Sequence, residues 1–359
     1  MRFVAIDSVN DDVLARDVPS ERRDGAALLR AGMRMTSALA VRIADGGARG
    51  IWIEDELGAG IVPTPEFPAD VIGLAHHALS KALAAAPGAI AAGRELDPSL
   101  VRQLRDAGDE IADAVLEYPP DLCPINDMPI AIATAPWHAV RVALLGTFVG
   151  HRALAQRGWT DFQGVQRFDQ FDERLSTLAF GLLVHDIGVA ASAGCMGAEN
   201  AQRAEHISRG SALFPAAGTP AAARSVIHGH HERWDGIGYP ERRRQDAIQP
   251  NARIAAIADA YDALRASGGG REPLPIHAAV ATIEDGAGSR FDPALVAHFL
   301  ALVPPYPVGH ELVLGDGRSA VVVQPSRDRL RPTVRLRSAG GATAELIADM
   351  DRGQTAAAA

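Results

Sequence analysis

The stretch that most constrains this chain is FDERLSTLAFGLLVHDIG, residues 171–188. It opens on charged residues but becomes apolar on nearly every side towards its end, so it has no face to give to water and must lie in the middle of a helical bundle. It finishes on His185 and Asp186, an imidazole and a carboxylate that must be satisfied if they are buried. A metal ion satisfies both at once, because neutral imidazole and ionised carboxylate are ligand types that suit iron, manganese or zinc. Gly188 follows as a residue able to end the helix.

The neighbouring sequence supplies the rest of such a bundle. Residues 136 to about 303 read as helix after helix, with Trp137, Val140, Leu144, Leu145 and Phe148 on one apolar stripe. Residues 69 to about 118 carry another helical pattern, interrupted near Pro87–Gly88. At the N-terminus, RFVAI, LARDV, GAALLRAG and GIWIED read as short strands, with Thr36 placed to cap a helix between them. Beyond Pro304, HELVLGDGRSAVVVQPS and PTVRLRS read as strands around an Asp–Gly turn. The expected fold class is therefore mainly α: a helical bundle with a small N-terminal α/β domain and a short C-terminal β unit. The expected partition is 1–65, a helical linker region 66–130, the catalytic bundle 131–303, and a β extension with its tail over 304–359.

Charge and cysteine content narrow the function classes. The net charge of −9 gives no general attraction to nucleic acid polymers or anionic membranes, so a phosphorylated ligand needs a local positive site. Cys123 and Cys195 have no spacing that suggests a zinc site or a disulfide framework. The opening MRFVAIDSVNDD meets acidic residues too early for a signal peptide, and no stretch reads as a membrane span, so a cytoplasmic protein is expected.

Histidine, at 12 in 359 residues, is scarce, yet His228, His230 and His231 fall within four positions. Adjacent residues on a helix point about a hundred degrees apart, so His230 and His231 can serve two ions lying side by side. His138, His206 and Asp259 stand on other predicted helices. His76, His77, His151 and His228 fit no such role and read as structural.

HDIG at 185–188, HHERWDGIGYP at 230–240 and RIAAIADAYDAL at 253–264 resemble the three signature segments of the HD-GYP family, a branch of the HD phosphohydrolases whose members hydrolyse cyclic di-GMP. The resemblance covers about residues 136–303, with FDPALVAHFLALV similar to the closing helix, and residues 1–55 resemble the small domain that often precedes such catalytic domains. It implies His138, His185, Asp186 and Asp259 around a first metal, with Asp186 as the bridge, and His230 and His231 on a second, while His206 matches the histidine between the two larger motifs and joins the ligand set. His185 and Asp186 carry the catalytic assignment. It also implies iron or manganese as the binuclear cofactor, and cyclic di-GMP opened by metal-activated hydroxide to linear pGpG and onward to GMP. Gly238, Tyr239 and Pro240 are read as a shaping and docking surface, for a diguanylate cyclase (GGDEF) domain or another signalling protein; a homodimer is equally compatible.

Around that ligand set, Asp262 follows Asp259 by three positions and faces nearly the same side, so it reads as orienting a ligand from behind, with Glu232 and Asp235 given the same role. Trp234 reads as a wall of the pocket or a stacking surface for guanine. The run Arg242–Arg244 reads as a solvated face.

Three positions depart from the family pattern. Val189 stands where the family carries a phosphate-neutralising lysine after HDIG, and such a cation is often worth a few kcal/mol. RASGGGREP replaces the usual basic segment after YDAL, leaving Arg265 and Arg271 as candidate substrate contacts. Thr134 stands where three-metal members place a carboxylate, so two metals are expected. The ligand set is thus complete while the substrate clamp is eroded. Beside an active phosphodiesterase, two alternatives stay open: a catalytically weak module that binds the dinucleotide or docks a cyclase, and a phosphohydrolase for another phosphoester. Di-iron oxygenase chemistry ranks last.

Overall fold

A computed structural model describes residues 1–19, 27–45, 50–124, 134–160, 164–191, 200–266, 272–326, 328–337 and 343–350. The predicted central helix is α5, Phe171–Leu183, which follows α1 (Ser37–Asp45), α2 (Ala69–Ala91), α3 (Pro98–Leu116) and α4 (Ala135–Arg157). Helix α5 packs against α3, α4 and, on its far side, α7 (Ala221–Gly229). Leu175 and every residue from Leu178 to Leu183 are buried. On α4 the burial is nearly as complete, running unbroken from Ala139 to His151. Phe148, Leu144, Leu145 and Leu178 are among the largest fully buried side chains. Each such side chain contributes about 1.5–3 kcal/mol relative to exposure.

Helices α6 (Asn200–Ala212), α8 (Pro250–Arg265), α9 (Ile276–Asp285) and α10 (Pro293–Leu302) complete the bundle. Pro at the first helical position starts α3, α8 and α10, while Asp97 and Asp292 cap α3 and α10 by accepting backbone N–H bonds. Among the described residues no helix is long and apolar enough to cross a membrane.

Three expectations are corrected. Helix α2 is not interrupted at Pro87–Gly88 but runs through to Ala91. Pro87 sits on the exposed side of the final turns, where solvent can hydrate the carbonyl its missing N–H leaves unpaired. Gly188 does not end α5, whose C-cap is Val184. It lies instead in a short 3-10 turn, Ile187–Ala191. The helical run is also broken by a two-stranded ribbon that pairs Trp159–Thr160 with Gln166–Arg167.

The N-terminal unit is a four-stranded sheet. Its edge strand β1 (Arg2–Ala5) pairs antiparallel with Gly50–Glu54, which pairs in turn with Asp12–Leu14. Helix α1 covers it, and Thr36 Oγ accepts the Leu39 N–H as the capping pattern predicts. The C-terminal unit is a four-stranded antiparallel meander of Glu311–Val313, Ser319–Gln324, Thr333–Arg337 and Thr343–Ile347.

The two sheets are fastened to each other. Phe3 N–H donates to the Gly309 carbonyl, the Phe3 ring stacks on His310, and Arg2 bridges Asp55 and Glu311. Arg335 adds two bonds to the carbonyls of Leu57 and Ala59.

Candidate metal centre

The end of α5 and the turn after it set the centre. As the helix unwinds past Val184, His185 is driven into the bundle and is 1% exposed, with its Nδ1 donating to the Leu182 carbonyl at 2.8 Å. That bond fixes the tautomer and points Nε2 towards the neighbouring helices. His230, at the end of α7, uses the same device, donating Nδ1–H to the Val226 carbonyl at 3.0 Å. The third oriented ring differs: His138 on α4 donates Nδ1–H to the Asp262 carboxylate at 2.7 Å.

Two groups of donor atoms result. His138, His185 and Asp259 form one, and Asp186, His206, His230 and His231 form the other, with the donor atoms of each group within 4.8 Å of one another. Asp186 faces both. Its Oδ1 is 3.3 Å from His230 Nε2 and 3.4 Å from His206 Nε2, while its Oδ2 is 3.8 Å from His185 Nε2. Asp259 Oδ1 is 3.2 Å from His138 Nε2. The rings of His185 and His230 meet edge to face at 5.1 Å, so the groups are contiguous.

The buried atoms fit cations. His185 Nε2, His230 Nε2 and Asp186 Oδ1 are all inaccessible to solvent and make no hydrogen bond in spite of their proximity. Buried polar atoms are almost always satisfied. Here the unsatisfied ones converge, and all are good ligands for divalent metals.

The charge states of these groups follow from their surroundings. Burial pushes His185 down to about 4 and His231 to about 3, so both are neutral ligands at pH 7. Burial would also lower His138, but Asp259 and Asp262 outweigh it and push the ring up to about 10. At His230 burial is likewise outweighed, here by Asp186, and the pKa rises. Burial opposes ionisation of Asp186 and Asp259 too, yet the surrounding histidines hold both well below the usual carboxylate range. Both carboxylates are therefore ionised, and they draw a compensating positive charge, which a proton on His138 or a cation in its place can supply.

The segment after His231 wraps the second group. Tyr239 lies with its ring stacked 4.7 Å from that of His231, so it supports a donor-bearing imidazole directly. Gly238 is required here, because a Cβ would fall 2.4 Å from Arg233 N and 2.6 Å from the His231 carbonyl. Glu232 and Asp235 do not orient members of the groups. The buried Glu232 carboxylate accepts the backbone N–H groups of Glu241 and Arg243, and Asp235 accepts from Arg233 and from Ile237 N–H. Both residues clamp the loop. Trp234 lies under the Arg253 guanidinium, and its backbone is tied to Arg290.

Arg265 donates to the Leu274 carbonyl, while Arg271 lies outside the described residues. His228 pairs with Glu241, and His76 packs on Trp137.

One residue escaped the sequence reading. Arg141, 3% exposed on α4, grips Asp262 with Nε to Oδ1 at 2.5 Å and a terminal nitrogen to Oδ2 at 3.0 Å. Its position three residues after His138, inside an apolar stripe, was the available signal.

Comparison with known proteins fits this geometry. An HD domain family model matches residues 172–295, the span from α5 into α10 that carries both groups except His138. The helical segment is an HD domain of the HD-GYP type. A probable cyclic di-GMP phosphodiesterase of Vibrio cholerae is 45% identical over 78 residues, covering 22% of this chain and 18% of that protein. A cyclic di-GMP phosphodiesterase of Thermotoga maritima is 26% identical over 162 residues, covering 42% of this chain and 44% of its own. A 3'3'-cGAMP-specific phosphodiesterase of Vibrio cholerae is 39% identical over 74 residues, covering 21% and 14%. The matches span less than half the length of each of these relatives.

Proposed function

We propose that this HD-GYP domain is a metal-dependent phosphodiesterase that opens cyclic di-GMP to linear pGpG, with cleavage onward to GMP as a second round of the same chemistry. The observation that carries the reading is Asp186, whose two carboxylate oxygens face two different sets of buried nitrogen donors. In this reading His138, His185, Asp186 and Asp259 hold one cation, while Asp186, His206, His230 and His231 hold the other. Mixed nitrogen and oxygen donors favour iron or manganese. Two bound cations supply Lewis acidity towards a phosphodiester and lower the pKa of water.

The chain's own residues do the rest. The carbonyls of Leu182 and Val226 and the Asp262 carboxylate present Nε2 of His185, His230 and His138 inward. Tyr239 holds the plane of His231, and Glu232 keeps the loop that carries it closed. Val189 gives no charge to a phosphate, and one terminal nitrogen of Arg265 donates to the Leu274 carbonyl. Turnover slower than with a lysine at position 189 is expected, since that cation's share of charge neutralisation falls on other groups.

A second reading, a mixed guanine–adenine cyclic dinucleotide as substrate, is favoured by the similarity to a cGAMP-specific relative. Anaerobic incubation of Fe- or Mn-loaded protein with each dinucleotide, followed by chromatography beside an Asp186→Ala control, separates the two. Hydrolysis of cyclic di-GMP that is lost in the control supports the first reading. Preference for the mixed dinucleotide supports the second. No hydrolysis of either by protein carrying two metals sinks both.

A further inference from the structure

Two carboxylates on one face of α8, Asp259 and Asp262, approach opposite nitrogens of the same imidazole. Asp259 faces His138 Nε2 at 3.2 Å, on the side of the metal centre, whereas Asp262 meets Nδ1 at 2.7 Å. Asp262 is 4% exposed. A buried carboxylate three residues from a ligand is itself a strong oxygen ligand, and nothing in its chemistry confines it to the outside of the centre. What differs between the two is Arg141, which engages both oxygens of Asp262 from α4 in a planar fork. The same α4 carries His138 one turn earlier, so the helix presents ring and guanidinium together.

We infer that Arg141 is a positioning residue for the first metal site: it withholds Asp262 from the metal and commits that carboxylate to His138. The consequence is local. His138 is the one ring of the three whose Nδ1 partner is a carboxylate, while His185 and His230 rest on backbone carbonyls. An ionised partner raises the donor strength of the imidazole it holds. Arg141 fixes the orientation in which the carboxylate meets Nδ1, and its fork prevents Asp262 from turning inward. Lysine, a point charge on a flexible stem, cannot reproduce the two parallel bonds. The side chains of Arg141 and Asp262 engage each other and His138, so the nitrogen donors of the second group should be indifferent to the pair.

This inference rests on the proposed binding of metal at both donor groups, and its test separates the two claims. Metal-free protein is titrated with Mn2+, and free ion is followed by electron paramagnetic resonance. Variants are Arg141→Lys, which keeps the charge, and Arg141→Met combined with Asp262→Asn, which removes both members and leaves no unpaired buried charge. A His206→Ala variant identifies the binding class that belongs to the second site. In both Arg141 variants one class of site should weaken by about 10- to 100-fold, the range for partners that orient a ligand, while the class lost in His206→Ala stays unchanged. Two unaltered classes, or equal weakening of both, would overturn the role given to Arg141. A wild-type chain that takes up no metal would overturn the reading beneath it.

Discussion

Replacing Gly188 with alanine tests how tightly the fold and the metal centre are joined. Gly188 lies in the 3-10 turn two residues after Asp186, where α6 crosses it. An added Cβ would sit 2.0 Å from the His206 carbonyl oxygen and 2.6 Å from Gly210 N, both of them backbone atoms of α6 that no side-chain rotation can clear. Real Cβ contacts do not fall below 3.0 Å, so α6 or the turn must retreat by about 1 Å. Overpacking of this kind costs about 1–3 kcal/mol. The shift falls on His206 itself, whose Nε2 is 3.4 Å from Asp186 Oδ1. Ligand distances tolerate only about 0.2 Å, so the second site should lose affinity before the protein loses its fold. Urea unfolding and Mn2+ titration of Gly188→Ala should therefore show a lowered midpoint and a weakened second class of site. Gly210→Ala is the control, because its nearest contact is the movable Ile227 side chain at 3.2 Å. An unchanged midpoint with unchanged metal uptake would refute the claim that this crossing positions His206.

Further outcomes follow from the same structure. Asp186→Ala should abolish turnover and weaken both metal classes, since its two oxygens serve both groups; loss confined to one class, read by metal analysis, would contradict its bridging place. Removing metal with a chelator should lower the unfolding midpoint, because a ligand at a hundred times its dissociation constant stabilises by about 2.7 kcal/mol; identical midpoints with and without metal would argue against tight native sites. His298 is buried, and burial together with Arg157 and Arg152 lowers its pKa. Its protonation therefore favours the unfolded chain, so stability should be complete above the unfolded value of about 6.5 and fall as pH drops below it. In metal-free protein His298→Gln should flatten this decline between pH 7 and pH 5 in urea titrations, and an equally steep decline would count against it.

Most of the donor set was readable in the sequence because it is written in local patterns. His185 and Asp186 stand out where an apolar helix ends on polar groups, and His230–His231 stand out as a pair. What escaped depends on geometry that spacing does not carry. Arg141 looks like one polar residue on an apolar stripe, and only the crossing of α4 with α8 reveals its hold on Asp262. Glu232 was read as supporting a ligand, but the sharp turn through Gly238 folds the chain back so that its carboxylate meets backbone N–H groups of that same loop. Pro87 suggested a break that the exposed final turns of α2 accommodate. The attachment of the C-terminal meander to the N-terminal sheet had no local signal, since its contacts join residues about three hundred positions apart.

That attachment alters how the helical bundle can come apart. Arg2, on the first strand, holds both Asp55, where the chain leaves the first sheet, and Glu311, where it enters the second, and Phe3 adds its bond to Gly309, so the helices between them form a noncovalently closed loop. A free helical array can peel from either end, one helix at a time, but a closed loop cannot start that way until the sheet-to-sheet clasp opens. Closing so long a segment also removes conformations from the partly unfolded chain, as a crosslink would, with a benefit that grows only slowly with loop length. The helices that carry the donor residues should thus owe part of their resistance to proteolysis to a seam that contains none of their residues.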